Sequence, residues 1–268
     1  MKEELLATAL PEERRLQIAA QLRRDNRVRV EYLAQQFAVS GETIRRDLQV
    51  LEERGLLRRV YGGAVVQEGR SWESALEERG VARLDPKRAI AAVAAAMVEP
   101  GDTVILDVGT TVAETARAFP ATFAGRAVCC SMPTAAELAS REDVEVHLVG
   151  GQVRRGDLAC IGANAERFLD QFFADRAFVA ASGVHPRAGV TSDRLDEIPL
   201  RQAILRQAAQ TIILADSAKL GQIAVGRVCA LSEATVLITD SAADPATVRA
   251  LEQAGVRVTV ASPLTGPE

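Results

Sequence analysis

In TVILDVGTTVAETARAF, residues 103–119, an apolar run of strand length ends at Asp107, and a turn through Gly109, Thr110 and Thr111 leads into a helical pattern. Backbone amides at such a helix start point outward and favour an anion, and the two threonine hydroxyls add donors. The stretch has neither the GxxxxGK[ST] of a nucleotide phosphate loop nor the GxGxxG of a dinucleotide fold, so a nucleotide is not the expected ligand. Further candidates lie at other apolar runs: Gly150 and Gly151 close one, Gly183 another, and Asp216 with Lys219 follows a third. Ligands in open α/β sheets collect at the carboxyl ends of the strands. Cationic Lys219 and Arg201 suit a phosphate, whereas Asp107, Glu197 and Asp216 suit sugar hydroxyls. The same carboxylates beside Lys219 would also suit proton abstraction next to a carbonyl, so an isomerase-type enzyme is an alternative at this point.

A second kind of chemistry is written in VSGETIRRDL, residues 39–48. With Ser40 as N-cap its hydroxyl satisfies an amide near Thr43, and Ile44, Leu48 and Leu51 share one face of the helix that follows. Glu42, Arg46 and Gln49 centre on the opposite face, with Thr43 and Arg45 on its flanks. Arginine grips guanine with two hydrogen bonds, glutamate accepts from cytosine N4, and glutamine reads adenine. Such charges alone also describe an ordinary solvated face with local ion pairs. Context decides: VEYLAQQF and a three-residue AVS turn precede the helix at helix-turn-helix spacing. The following LLRRVYGGA supplies a wing whose Arg58, Arg59 and Tyr61 would lie along phosphates.

These groups need elements to hold them. Helical periodicity covers residues 12–24, 30–37 and 40–54, and two short β segments flank a Gly-Gly turn after Gly55. Beyond residue 87 the rhythm changes. Strand-length apolar runs at 103–108, 127–131, 144–151, 174–184, 211–217, 234–240 and 257–262 alternate with helical patterns at 87–98, 111–119, 133–141, 163–173, 197–209 and 244–254. Strands apolar almost throughout imply a mostly parallel sheet covered on both faces. The expected organisation is an α/β protein with a winged helix-turn-helix over 1–65, a connection over 66–86 holding Trp72, the only tryptophan, and a second, ligand-binding domain over 87–268.

Composition narrows the classes. The longest apolar runs fall short of the roughly 18–20 residues of a membrane span, and the N-terminus has no secretory pattern, so a cytoplasmic protein without membrane contact is expected. Four cysteines without CxxC spacing read as buried reduced thiols, and two histidines give a metal cage or a serine triad little to draw on. No metal, cofactor or catalytic residue is assigned. The net charge of −4 is uneven: residues 1–70 hold 13 basic against 11 acidic side chains, and residues 71–268 hold 19 against 25. A small DNA-binding part joined to an acidic remainder has this pattern, because phosphate attraction is local at physiological salt.

From Arg14 through RLQIAAQL and VRVEYLAQQFAVSGETIRRDLQVLEERGLLRRVYGGA the chain resembles the winged helix-turn-helix of the DeoR-type bacterial transcription regulators. KRAIAAVAAAMVEPGDTVILDVGTT, LVGGQVRR, IGANAERFL, RAFVAASGV and ILADSAKLG are similar to that family's sensor domain, so the resemblance spans roughly residues 12–240. It implies a domain similar to ribose-5-phosphate isomerase, double-stranded operator DNA and a phosphorylated sugar as partners, and a homodimer or higher homo-oligomer. It also implies an effector site at Asp107, Gly109, Thr110, Thr111, Gly150, Gly151, Gly183, Glu197, Arg201, Asp216 and Lys219. The chain departs from the family at Cys130-Ser131, often Thr-Asn, at Ser217-Ala218-Lys219, often Ser-Ser-Lys, and at Arg201, often lysine.

Overall fold

The computed structural model describes residues 11, 14–15, 17–18, 21–22, 27–53, 57–60, 62–65 and 83–264, the side chains of residues 27, 53, 58 and 65 excepted. Tyr61, Trp72, residues 66–82 of the expected connection and the side chain of Arg58 lie outside the described residues. The chain divides into two compact units, residues 1–78 and 79–268.

In the first unit the described residues between 11 and 22 are helical. After them come β1 (Arg27–Arg29), α1 (Val30–Gln36), α2 (Gly41–Glu53), β2 (Arg58–Val60) and β3 (Gly63–Val65). Strand β3 lies between the other two, antiparallel to both. Strand β1 was not expected: three residues between two helices give no alternation to detect, and only pairing with β3 defines it. The apolar positions expected on one face of α2, Ile44, Leu48 and Leu51, are all buried. They meet Ile18, Leu22, Leu33, Phe37, Leu57 and Ala64 in one core. Each leucine, isoleucine or phenylalanine side chain taken from water stabilises the unit by about 1.5–3 kcal/mol before the entropy of ordering it is counted.

The second unit opens with α3 (Leu84–Ala95), β4 (Thr103–Leu106), α4 (Thr110–Arg117), β5 (Gly125–Cys129), α5 (Met132–Ala139) and β6 (Val144–Leu148). It continues through β7 (Gln152–Val153), β8 (Cys160–Ile161), α6 (Ala163–Leu169), β9 (Ala174–Ala180), β10 (Gly183–His185) and β11 (Gly189–Ser192). It closes with α7 (Ile198–Gln207), β12 (Ala208–Leu214), β13 (Gly226–Cys229), β14 (Val236–Asp240), α8 (Pro245–Gln253) and β15 (Arg257–Ala261). Seven strands form one sheet in the order β15-β14-β12-β9-β4-β5-β6, every pair parallel. Successive side chains of a strand point to opposite faces. Accordingly Val104 and Leu106 join one core with Ile90, Val112 and Leu138 of α3, α4 and α5. Ile105 joins the other with Ala165, Ile204 and Leu251 of α6, α7 and α8. Burial on both faces is why inner strands such as β4 are apolar almost throughout, whereas the edge strands β6 and β15 carry exposed polar positions.

Four local expectations change. The run 174–184 is not one strand: β9 stays in the large sheet, while β10 pairs with β11 in a small antiparallel sheet that β13 completes. A Cβ at Gly183 would stand 2.6 Å from the Gln222 carbonyl oxygen, and this close approach holds the departing chain. The helix expected over 163–173 stops at Leu169. Leu84, Asp85 and Pro86, expected in the connection, form the first turn of α3. The hairpin of β7 and β8, two residues per strand, was too short for any periodic signal.

Candidate functional site

The outward face of α2 is built as its spacing requires. The Thr43 amide donates to Ser40 Oγ at 3.1 Å. Glu42, Arg45, Arg46 and Gln49 are exposed and Thr43 is half-buried. Arg46 is 79% exposed at its side chain, its Nε 3.9 Å from Glu42 Oε1, and Arg45 Nη1 lies 3.4 Å from the same carboxylate. Pairs this open are worth about 0–1 kcal/mol. Asp47, adjacent in sequence, does the opposite: it is buried and accepts from Arg14 Nε at 2.7 Å and Arg15 Nε at 3.0 Å. One carboxylate thereby fastens α2 to the leading helical residues, a role the sequence pattern had not distinguished from solvated charge. On the wing, Arg59 donates from its amide and its Nε to Glu52, at 2.8 and 2.7 Å. That amide bond, then the guanidinium bond, holds the Glu52 carboxyl below its usual range. Arg59 therefore shares its charge with α2.

In the second unit the carboxyl ends of the parallel strands all open on one edge. Asp107, just past β4, is fully buried; its Oδ2 accepts from the Ala180 amide at 3.0 Å and from Arg201 Nε at 2.7 Å. Its Oδ1 is buried and has no hydrogen-bond partner. Gly109 turns the chain into α4, where Thr110 is half-exposed and Thr111 buried. Arg201, 4% exposed, also donates to Ser192 Oγ at 2.8 Å and pairs with Glu197 Oε2 at 2.8 Å. Burial alone would favour loss of its proton, but the charges of Asp107 and Glu197 outweigh it and hold the guanidinium ionised. The expectation that Arg201 offers a free cation to a phosphate is corrected accordingly: two carboxylates already share it.

Glu197 extends this network to Arg154, which also meets Asp157 Oδ2 at 2.5 Å and Asp196 Oδ2 at 2.8 Å. Arg194 Nε stands 3.7 Å from Glu197. Burial pushes the Asp157 carboxyl upward, yet the Arg154 hydrogen bond and charge bring it below the usual carboxylate range. Arg154, Asp157, Ser192 and Arg194 were missed by sequence reasoning. Arg154 lies in LVGGQVRR, one of the stretches similar to the family; Asp157 and Arg194 had no signal beyond charge in the loops QVRRGD and SDRLDE, and Ser192 had none.

Asp216 follows β12 and accepts from the Ala218 amide at 3.1 Å, with Lys219 Nζ 3.7 Å away. Asp240, at the end of β14 and also missed, accepts from the Ser217 amide at 2.6 Å and hydroxyl at 3.0 Å. Asp107 and Asp216 stand two strand spacings apart, about 10 Å, within the span of one small ligand. Gly150 and Gly151, past β6, are four spacings from Asp216, about 19 Å, so a small ligand does not gather all the candidates. A Cβ at Gly151 would come 2.7 Å from the Ile161 carbonyl oxygen, and Gly183 sits in the small sheet; packing accounts for both glycines. A groove of about 650 Å³ opens elsewhere, beside α7 and β13, and holds none of these residues. Its Gln202, Arg227 and Glu233 are bound to backbone at Val228, Ala188 and Ala230.

All four cysteines are buried free thiols. Burial pushes Cys129 and Cys229 up to about 12, which makes them inert as thiolates at neutral pH. No helix among the described residues is long and apolar enough to cross a membrane.

An exposed recognition-type helix on one unit and a polar strand-end edge on a second, doubly covered parallel sheet define a DNA-binding regulator with a sensor domain. The sequence model of the DeoR-like helix-turn-helix domain matches residues 14–70, and that of the DeoR C terminal sensor domain matches residues 83–241. The chain belongs to the DeoR family of transcription regulators. It is 35% identical over 249 residues to the HTH-type transcriptional regulator GlpR of Haloferax volcanii, covering 93% of this chain and 97% of that one. It is 32% identical over 248 residues to a putative aga operon transcriptional repressor of Escherichia coli O157:H7, covering 92% of each. Among solved structures, ribose 5-phosphate isomerase A of Methanocaldococcus jannaschii aligns over 50% of this chain and 52% of its own, at 16% identity and a TM-score of 0.37, too loose a likeness to bear on function. Relatives matched over nearly the whole chain are named regulators, so the isomerase alternative is set aside and the protein is not an enzyme.

Proposed function

We propose that this regulator represses an operon of sugar or carbohydrate metabolism and that a phosphorylated sugar at the strand-end edge sets its operator affinity. The observation that supports the sensor reading is the unpartnered Asp107 Oδ1, fully buried beside the start of α4. A buried acceptor without a donor is costly, and a ligand hydroxyl is the natural donor for it. Thr110, Thr111 and the α4 amides on one side, and Lys219 with Asp216 on the other, would take the phosphate and the remaining hydroxyls. Arg201, itself paired with Glu197, holds Asp107 in place. The relatives named for the aga operon and as GlpR support the metabolic setting.

On the DNA side Glu42, Thr43, Arg45, Arg46 and Gln49 would read bases, while Ser40, Arg58, Arg59 and Tyr61 would contact phosphates. One helix reads few base pairs, so a homodimer or higher oligomer in the cytoplasm would bind repeated half-sites. A coupling of about 1–3 kcal/mol, roughly 5- to 150-fold in affinity, makes a useful switch. The test is titration of the full chain onto a labelled duplex from its own upstream region, with and without ribose 5-phosphate, fructose 1-phosphate and glycerol 3-phosphate. One of these is expected to shift operator affinity at least about fivefold. Absence of retention at moderate salt would refute the operator reading, and retention untouched by any sugar phosphate would refute the sensor reading.

A further inference from the structure

Arg83 is the first described residue of the second unit and immediately precedes α3. Its backbone is left-handed, φ 56° and ψ 42°, a conformation that side-chain-bearing residues rarely adopt without compensation. It occupies the N-cap position of α3 yet makes no side-chain capping bond there. Its compensation lies elsewhere: Nη2 donates to Ser217 Oγ at 2.8 Å, Nε stands 3.6 Å from Asp216 Oδ1, and Nη2 stands 3.9 Å from Asp240 Oδ1. The residue at the entrance to the sensor unit is thus tied to the strand ends that carry Asp216 and Lys219.

We infer that Arg83 is a positioning residue that makes an anion at the Asp216–Lys219 end of the site felt where the chain enters the sensor unit. The inference rests on the sensor reading above. In this cluster Arg83 and Lys219 face Asp216 and Asp240, two cations against two carboxylates. A phosphate brings roughly −1.5 to −2 charges, which turns the balance negative and strengthens the hold on the guanidinium. The Arg83 carbonyl accepts from the Lys87 amide at 3.3 Å, so a firmer Arg83 fixes the first turn of α3. By linkage, what the anion does for Arg83 anchoring, Arg83 anchoring does for the anion.

Hydrogen exchange of the α3 first-turn amides in the full-length protein tests this, with inorganic phosphate and ribose 5-phosphate as probes. Arg83→Gly removes the side chain but accepts the left-handed backbone, and Arg83→Lys keeps the charge without the fork. In the parent, ribose 5-phosphate is expected to slow first-turn exchange at least about threefold, and inorganic phosphate less. Arg83→Gly is expected to lose that slowing and the ligand's effect on operator affinity. It should still bind ligand within about tenfold of the parent and bare operator within about twofold, and Arg83→Lys should fall between. The same slowing in Arg83→Gly as in the parent overturns the inference. Ligand-free exchange separates the two claims. Arg83→Gly exchanging at the parent's rate removes the anchor whatever the site binds. An anchored parent that binds neither probe refutes the reading of the site, and the coupling with it.

Discussion

Arg46 and Arg201 carry the same guanidinium into opposite surroundings. The Arg46 side chain is 79% exposed and its carboxylate neighbour Glu42 is nearly as open, at 64%. The Arg201 side chain is 4% exposed between Asp107, Glu197 and Ser192, with carboxylate neighbours at 0% and 6%. An exposed pair is worth about 0–1 kcal/mol, so Arg46 leaves Glu42 at almost no cost when a base or phosphate arrives. A buried pair has already lost its hydration, and removing one partner strands the other. Availability to a partner is therefore decided by burial, not residue type: α2 presents Arg45 and Arg46, whereas the second unit commits Arg201 and Arg154 to fixing the shape of a polar edge.

The largest way to break this contrast is Arg201→Met, which keeps the length and removes the charge. Asp107 and Glu197 would be left buried without their common cation, and the second unit is expected to lose about 3–5 kcal/mol, read from its urea transition. A loss under about 1 kcal/mol would mean that the network does not hold the unit together. Asp47→Ala makes the mirror test in the first unit, where one buried carboxylate serves Arg14 and Arg15. Arg15 is partly hydrated, so about 3 kcal/mol is expected, the low end of the buried range. Operator binding should fall with the first unit's stability while the second unit's transition stays in place.

Much of this was legible from sequence, for a physical reason. The inner strands of the large sheet are buried on both faces over most of their length, so their apolar runs stand out, and α2 shows its inward face through Ile44, Leu48 and Leu51 because one side packs and the other does not. Asp107 and Lys219 could be named because strand-to-loop junctions of a parallel sheet collect at one edge. What stayed hidden depends on contacts distant in sequence. Asp47 meets Arg14 33 residues away, and Arg201 meets Asp107 94 residues away. No local pattern distinguishes such a carboxylate from a solvated one. Gly151 and Gly183 show the same limit: in sequence, a glycine that admits a neighbouring backbone looks like one that admits a ligand. Strands β1, β7, β8 and β10 are two or three residues long and exist only through their partners.

On the exposed side of the contrast, Arg46→Ala is expected to weaken operator binding by about 1–3 kcal/mol and to relax base preference. Unfolding of the first unit should move by no more than about 0.5 kcal/mol, since no buried contact is lost. Equal losses in binding and stability would erase the distinction from Arg201. The buried network adds a pH signature. Asp157 is held below the ordinary carboxylate range in the folded state. Its contribution is therefore present above the unfolded value of about 3.9 and is lost as pH falls through the lower folded value. Acid titration of urea stability should show Asp157→Asn less stable than the parent near neutrality, with the gap closing below about pH 4. A gap that persists unchanged at low pH would assign the loss to packing rather than charge.

The smallest expected effect sharpens the comparison most, because it separates holding the recognition helix from reading DNA with it. Ser40 accepts from the Thr43 amide at 3.1 Å, and its hydroxyl lies 2.9 Å from the Thr43 hydroxyl. Ser40→Ala leaves that amide to water and should cost the first unit about 1 kcal/mol, whereas Ser40→Gly should cost only a few tenths. If Ser40 acts as a cap alone, operator affinity should track these stabilities and fall little for either variant. If its hydroxyl also meets a phosphate, as proposed, both variants should lose binding equally despite their unequal stabilities, and the slope of affinity against salt should stay the same, since a neutral hydroxyl releases no counterion. Urea unfolding and operator titration on the same two proteins distinguish these outcomes.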